Sequence, residues 1–389
     1  MLDYSKVLNS TVKEIRPSGI RKFFDIAEKM EEVISLGVGE PDFQTPWHIR
    51  QAGILSLEQG KTRYTANSGL SELRSQISKY IFLRGGITYD PKDEVLVTVG
   101  GSEAIDCAIR AVVEPGDEVL IPDPSFVCYE PITRISGGVP VAVNTRVEDE
   151  FRLTADELKK KITEKTKALI LPFPNNPTGA VMEKQHLEQI AEVLRDTDIV
   201  IISDEIYSEL TYSGCKHVSI TAIDGMRERT VLVGGFSKAF SMTGWRLGYA
   251  CGPRQIMEQM TKIHQFAIMS APTTAQHAAV DALKNGMNDI EKMVEQYDAR
   301  RRLIVDGFNK LGLECFEPKG AFYVFPSIKN TGLSSEAFCE KLLECKHVAL
   351  VPGNAFGRNG EGYVRASYCY SVQHIKEALL RIGEFLKTL

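Results

Sequence analysis

From residue 94 to residue 236, short apolar runs take turns with amphipathic stretches. The runs EVLVTVG (94–100), EVLIP (118–122), VPVAVNT (139–145), KALILPF (167–173), IVIISD (199–204) and TVLVGGF (230–236) show little polar alternation, the pattern of strands buried on both faces. Between them, SEAIDCAIRAVV (102–113) and residues 183–196 repeat their apolar positions at helical spacing. Strands joined through helices run in the same direction, so the pattern predicts a mostly parallel sheet with helices on its faces.

After about residue 271 the pattern changes. Long charged helical stretches, 275–284 and 287–310, precede a region with strands near 321–325 and 363–367, which predicts a smaller α+β lobe. The helix around 291–310 is the expected spine between the lobes, and the opening residues are expected to fold back on the smaller lobe or on a partner subunit. The fold class is thus α/β: a large lobe with a mostly parallel central sheet between helices, plus a smaller α+β lobe. The expected boundaries are residues 47–280 for the large lobe, and 1–46 with 281–389 for the small lobe and its N-terminal arm. A chain of 389 residues suits two lobes, at roughly 100 to 200 residues per domain.

Composition narrows the partners. With 43% hydrophobic and 25% charged residues the chain matches neither a disordered nor a membrane protein, and a net charge of -5 argues against a nucleic-acid surface. Small molecules are the expected partners. The eight cysteines are scattered without a CxxC pair and read as reduced thiols. The opening MLDYSKVLNSTVKEIRPSG lacks the apolar core of a secretory signal, and no apolar run reaches the length of a membrane span. A cytoplasmic location is expected.

Catalytic groups of open α/β sheets gather at the carboxyl ends of strands, which singles out the polar residues closing each run. Gly100, Gly101 and Ser102 open a helix; bare amides there bind anions such as phosphate, although a plain strand-to-helix turn uses the same residues. Asn176, in LPFPNNPTG, follows a buried run, and such clusters are also ordinary turns. Asp204 closes IVIISD, with Tyr207 three residues on. That aspartate suits an N-cap, but a carboxylate ending a buried strand is costly unless it meets a cation.

The loop GGFSKAFSMTGWRLG (234–248) carries Ser237, Lys238 and Arg246. A lysine there can bond a carbonyl group and an arginine can hold a phosphate, while both also suit an exposed surface. Arg365, in GEGYVRASY, closes a strand of the smaller lobe and could fork onto a carboxylate or join a surface ion pair. Phe126, in PSFVCY, could stack on a flat ring or fill the core. Tyr64, in TRYTANSGLSELR, lies in a turn-rich segment ahead of a helix.

Phosphate-binding amides and arginine, a stacking aromatic, a carboxylate for a ring nitrogen, amide and phenol donors for a ring oxygen, and an amine together describe a site for pyridoxal 5'-phosphate. No metal is expected, because the seven histidines lack HExxH spacing and do not cluster with acids. The glycines after Val99 do not make GxGxxG, which disfavours a nicotinamide site.

These segments resemble the class I and II aminotransferases among the fold type I pyridoxal-phosphate enzymes, and the likeness runs along nearly the whole chain. Its markers are SLGVGEPDFQTP (35–46), Tyr64, VTVGGSEA (97–104), NNPTG (175–179), SDEIY (203–207), SKAFSMTGWRLG (237–248), PKGAFYVFP (318–326), VPGNAFG (351–357) and GEGYVRASY (360–368). The chain is most similar to the branch holding aspartate, aromatic amino acid and N-acetyl-diaminopimelate aminotransferases.

The resemblance implies that Lys238 carries the cofactor covalently and acts as general base, that Asp204 pairs with the ring nitrogen, and that Asn176 and Tyr207 bond the phenolic oxygen. It assigns the phosphate to Gly100, Gly101, Ser102, Ser237 and Arg246, the ring stacking to Phe126, and the substrate α-carboxylate to Arg365 with Gly37 and Asn176 nearby. Tyr64 in such enzymes reaches the phosphate of the neighbouring subunit, which implies a homodimer with shared active sites. The implied reaction moves an amino group from an L-amino acid, aromatic or aspartate, to a 2-oxo acid such as 2-oxoglutarate in ping-pong fashion.

Two positions depart from the family pattern. Gly235 stands where many members have a phosphate-binding serine, and Ser102 where some acidic-substrate branches have a basic residue. A C–S β-lyase on the same scaffold is the alternative reaction. A non-catalytic cofactor-sensing regulator is a further alternative, but it would carry a DNA-binding helix-turn-helix ahead of a family pattern that here starts within the first few dozen residues. The substrate side-chain pocket is expected from the segment near Ile20, from loops around Ser270, and from both subunits.

Overall fold

The computed structural model describes residues 2–15, 17, 19, 30 and 32–389; the expected pocket contribution of Ile20 lies outside them. In chain order the strands are β1 (Ile34–Ser35), β2 (Val95–Thr98), β3 (Glu118–Asp123), β4 (Val139–Asn144), β5 (Thr166–Leu171), β6 (Val200–Asp204), β7 (Thr230–Gly235), β8 (Gly248–Cys251), β9 (Tyr323–Val324), β10 (Val348–Ala349), β11 (Val351–Pro352) and β12 (Val364–Ser367). Seven of them form the central sheet in the order β2-β8-β7-β6-β5-β3-β4. All run parallel except β8, which is antiparallel to both β2 and β7.

The expected mostly parallel sheet is therefore present, with the reversed β8 as an addition. GYAC offers too few residues to display a period, so the sequence pattern does not mark it. One expectation needs correcting: β4 is not buried on both faces, since Val139 and Ala142 are exposed. It is an edge strand, with β3 on one side alone.

Successive residues along a strand point to opposite faces, and the core divides accordingly. Val119, Ile170 and Ile202 pack under the helices Gly100–Val112 and Arg254–Ala267, through Ala104, Ala108, Met257 and Met260. Leu120, Leu169 and Ile201 meet the helix Lys184–Leu194 on the other face, through Leu187, Ile190 and Leu194. Each such aliphatic side chain contributes about 1.5–3 kcal/mol on burial.

Beyond the sheet, the helices Thr273–Asn285 and Met287–Lys310 fall where the periodicity places them. The longer one buries Ile290, Met293, Tyr297, Ile304 and Phe308 along one stripe and packs on β9 and on the helix Val372–Leu386. Arg301, fully buried on that stripe, is satisfied by Asp298, Glu317, the Pro318 carbonyl and Ser213. A small antiparallel sheet, β11-β12-β9, and the parallel pair β1-β10 complete the fold.

Candidate active site

The parallel strands bring the ends of β2, β5, β6 and β7 to one edge of the sheet. Because β8 runs the other way, its beginning lies at that edge, and Arg246, two residues before it, is delivered there. Gly248 pairs with both Thr98 and Gly235, and a Cβ on Gly248 would lie 2.6 Å from the Gly100 carbonyl carbon and the Gly101 nitrogen. Gly100 has φ +76, and a Cβ there would lie 2.9 Å from Arg246 Nη2. Only glycine allows this approach of bare amides to a guanidinium. Arg246 Nη1 donates to the Thr243 carbonyl at 3.2 Å, and no carboxylate among the described residues pairs with it, so its charge is available to an anion. Ser102 is exposed at the start of the helix, and Ser237 is buried next to Lys238.

Lys238 lies in the loop after β7, with Nζ donating to the Gly39 carbonyl at 2.7 Å above the rings of Phe322 and Tyr207. Burial pulls its pKa down to about 8; Arg365 and Arg246 push the same way, against the opposing influence of Cys369 and Glu40. The Tyr207 hydroxyl, buried, shares a hydrogen bond of 2.9 Å with the Tyr323 hydroxyl.

Asp204 ends β6 and is buried. Its Oδ2 accepts from the Tyr129 hydroxyl at 2.7 Å and its Oδ1 from the Ile206 amide at 3.2 Å. Burial raises the pKa of this carboxyl despite both donors. No cation among the described residues pairs with it, and a positively charged ring nitrogen is the partner such a group lacks. Phe126 meets Tyr129 edge to face, with centroids 6.0 Å apart.

Arg365, in the middle strand of the small sheet, is the most enclosed cation of the site. Nη1 donates to Asn176 Oδ1 at 2.9 Å and Nη2 to the Gly37 carbonyl at 2.5 Å. Its guanidinium lies 4.4 Å from the Tyr323 ring centroid and 4.8 Å from that of Phe356. Nε is buried without a partner among the described residues, and burial lowers the pKa of the guanidinium. A substrate carboxylate meets this deficit. With its carbonyl oxygen engaged by Arg365, Asn176 keeps its amide protons for another acceptor.

The structure thus groups Gly37, Gly100, Gly101, Asn176, Asp204, Tyr207, Lys238, Arg246 and Arg365 at one edge, with Phe126 beside Tyr129. Tyr64 stands apart, 82% exposed. Three contributors were not singled out from the sequence: Tyr129, Tyr323 and Phe356. Each lies in an aromatic or apolar stretch that looks like core. The histidines also need a correction, since His48, His217 and His264 each meet carboxylates across the fold. Among the described residues these pairs do not assemble into a metal-binding group.

The uncompensated Asp204 carboxyl and the glycine cradle under Arg246 fit a phosphorylated, nitrogen-containing ring, and the unpartnered Arg365 Nε fits a carboxylate. The family model of aminotransferase class I and II matches residues 31–382. The chain belongs to this family. The aminotransferase is 54% identical over 379 residues to a putative aminotransferase of Bacillus subtilis, covering 97% of this chain and 98% of the relative. It is 48% identical over 375 residues to an aspartate aminotransferase of Pyrococcus abyssi, covering 96% of each. Among solved structures it is similar to the aromatic aminotransferase of Pyrococcus horikoshii, with a TM-score of 0.91 and 46% identity, covering 94% of this chain and 99% of that one. The enzyme is an aminotransferase with a fold type I architecture, and pyridoxal 5'-phosphate is its cofactor.

Proposed function

We propose that the enzyme transfers the amino group of an aromatic L-amino acid or aspartate to a 2-oxo acid such as 2-oxoglutarate, in two half-reactions. The observation that carries the reading is the Lys238 amine, drawn to about 8 by burial, on the same sheet edge as a cation with an unpartnered Nε. Pyridoxal phosphate supplies a ring that accepts electrons from the substrate α-carbon. Lys238 carries it covalently, and its amine, once freed, moves the proton from that carbon. Asp204 keeps a proton on the ring nitrogen. Asn176 and Tyr207 hold the phenolic oxygen, and Phe126 stacks on the ring. Gly100, Gly101, Ser102, Ser237 and Arg246 take the phosphate, while Arg365, with Gly37 and Asn176 beside it, orients the α-carboxylate.

The proposed lobes are residues 47–280, and 1–46 with 281–389; the seven-stranded sheet falls within the first and the two smaller sheets within the second, which supports this division. We place the enzyme in the cytoplasm, where its eight unpaired thiols suit the reducing conditions; no described helix is long and apolar enough to cross a membrane. A homodimer with shared sites accounts for the exposure of Tyr64. Its segment is tied through Asn67 to the Met269 carbonyl at 2.8 Å, beside the exposed apolar residues Phe266 and Ile268.

A panel of amino donors with 2-oxoglutarate, scored as kcat/KM, tests the reading. Tyrosine or aspartate is expected to lead, and Lys238→Ala to lose roughly 10²-fold or more together with the visible absorption of the bound cofactor. Full turnover by that variant, or release of pyruvate and ammonia from cystathionine without an acceptor, would overturn it.

A further inference from the structure

The turn assigned to the phosphate is braced by three residues with no place in the chemistry above, Thr98, Glu103 and His264. The helix Gly100–Val112 begins with amides that have no intrahelical acceptor. Thr98 Oγ1 donates to the Gly100 carbonyl at 2.9 Å on one side of this turn. On the other, Glu103 reaches back so that Oε2 accepts from the Val99 amide at 2.5 Å. Its second oxygen, Oε1, accepts from His264 Nδ1 at 2.7 Å. A carboxylate has no proton to give, which fixes the proton on Nδ1.

His264 lies near the end of the helix Arg254–Ala267 and is 0% exposed. Its Nε2 is buried without a partner. Among the described residues the ring therefore has one polar contact, and that contact is Glu103. An apolar residue would fill the same space without leaving a polar atom unsatisfied, so packing alone does not account for an imidazole here. Glu103, in the first turn, is favoured by the helix dipole and caps the Val99 amide, yet its charge opposes any second anion received at the same helix end, so its link to His264 needs a further reason.

We propose that Glu103 and His264 are positioning residues for the cofactor phosphate, locking the strand-to-helix turn that presents the Gly101 and Ser102 amides. The proposal rests on the reading that the phosphate occupies this turn. His264 holds the Glu103 carboxylate in place, Glu103 holds the Val99 amide, and the turn is thereby set before the cofactor arrives.

The test titrates the full-length apoenzyme with pyridoxal 5'-phosphate and, separately, with pyridoxal, which lacks the phosphate. In the unaltered enzyme the phosphorylated form binds more tightly; equal affinities would overturn the underlying assignment of the phosphate to this turn. His264→Leu and Glu103→Ala are expected to weaken pyridoxal 5'-phosphate binding about tenfold or more and to leave pyridoxal binding unchanged. His264→Asn, which restores an N–H donor near the Nδ1 position, is expected to bind nearly as the unaltered enzyme does. The proposal is wrong if His264→Leu binds both ligands normally, or loses both equally. It is also wrong if Glu103→Ala binds the phosphorylated cofactor as tightly as the unaltered enzyme or more tightly, since the carboxylate would then act only as an opposing charge. Should His264→Leu fail to fold, Glu103→Ala still decides the matter.

Discussion

Lys238 and Asp204 show burial acting in opposite directions on two groups of one site. For Lys238 burial disfavours the charged amine and brings its pKa to about 8, so the neutral nucleophile predominates above that pH instead of above about 10.4. Capture of pyridoxal phosphate by the apoenzyme is expected to accelerate with pH and level off beyond about 8, followed by stopped-flow absorbance; a midpoint near that of a free lysine would contradict it. For Asp204 burial disfavours the carboxylate, which the apoenzyme holds without a cation. Asp204→Asn keeps an acceptor for Tyr129 or Ile206 and is expected to raise the melting temperature of the apoenzyme while turnover falls by roughly 10²-fold. Unchanged melting and turnover together would deny the carboxylate any part. Both residues were legible in the sequence because each is the polar residue at or just beyond the close of an apolar run. Tyr129, Tyr323 and Phe356 were not, because their partners come from distant strand ends.

At the level of elements, β8 explains how one loop contributes to two tasks. The chain leaves β7 at Gly235, passes Lys238, and returns along β8 from Gly248, so the amine and Arg246 lie at the two ends of a single excursion. Gly248→Ala would press a methyl group against the backbone of Gly100 and Gly101, neither of which can yield as a flexible side chain does. It is expected to weaken cofactor binding at least tenfold with a smaller change in melting temperature, measured by titration of the apoenzyme. Gly235, one of the two departures from the family pattern expected from the sequence, has a physical counterpart: a Cβ there would lie 2.6 Å from Ile206 Cδ1. Ile206 fills the space a serine would need. Long periodic helices such as Met287–Lys310 were legible end to end, whereas two-residue strands such as β9 and β10 exist through pairing and leave no period to detect.

On the scale of the whole molecule, the small sheet and the large one meet at Arg365, whose two Nη atoms reach Gly37 and Asn176. Arg365→Lys keeps the charge and loses the fork, so kcat/KM for every amino acid is expected to drop by roughly 10²-fold, with cofactor affinity little changed. Loss of cofactor instead of substrate binding would misplace this residue. Tyr64, exposed on one chain, carries the proposed link between subunits. In Tyr64→Phe the cofactor is expected to dissociate faster, by about tenfold, and an unaltered rate would remove it from the site.

The guanidinium of Arg365 has a second property, concerned with freedom rather than charge. Clasped between the rings of Tyr323 and Phe356 and tethered at both Nη atoms, it has already lost the rotamer entropy of an arginine, about 2 kcal/mol, when the chain folds. An incoming carboxylate therefore has little of this side chain left to order. If Arg365 has the proposed role, a primary amine with a matching side chain but no carboxylate gains nothing from that arrangement and leaves Nε as unpartnered as before, so a preference for amino acids over simple amines would be prepared during folding, before any substrate is met.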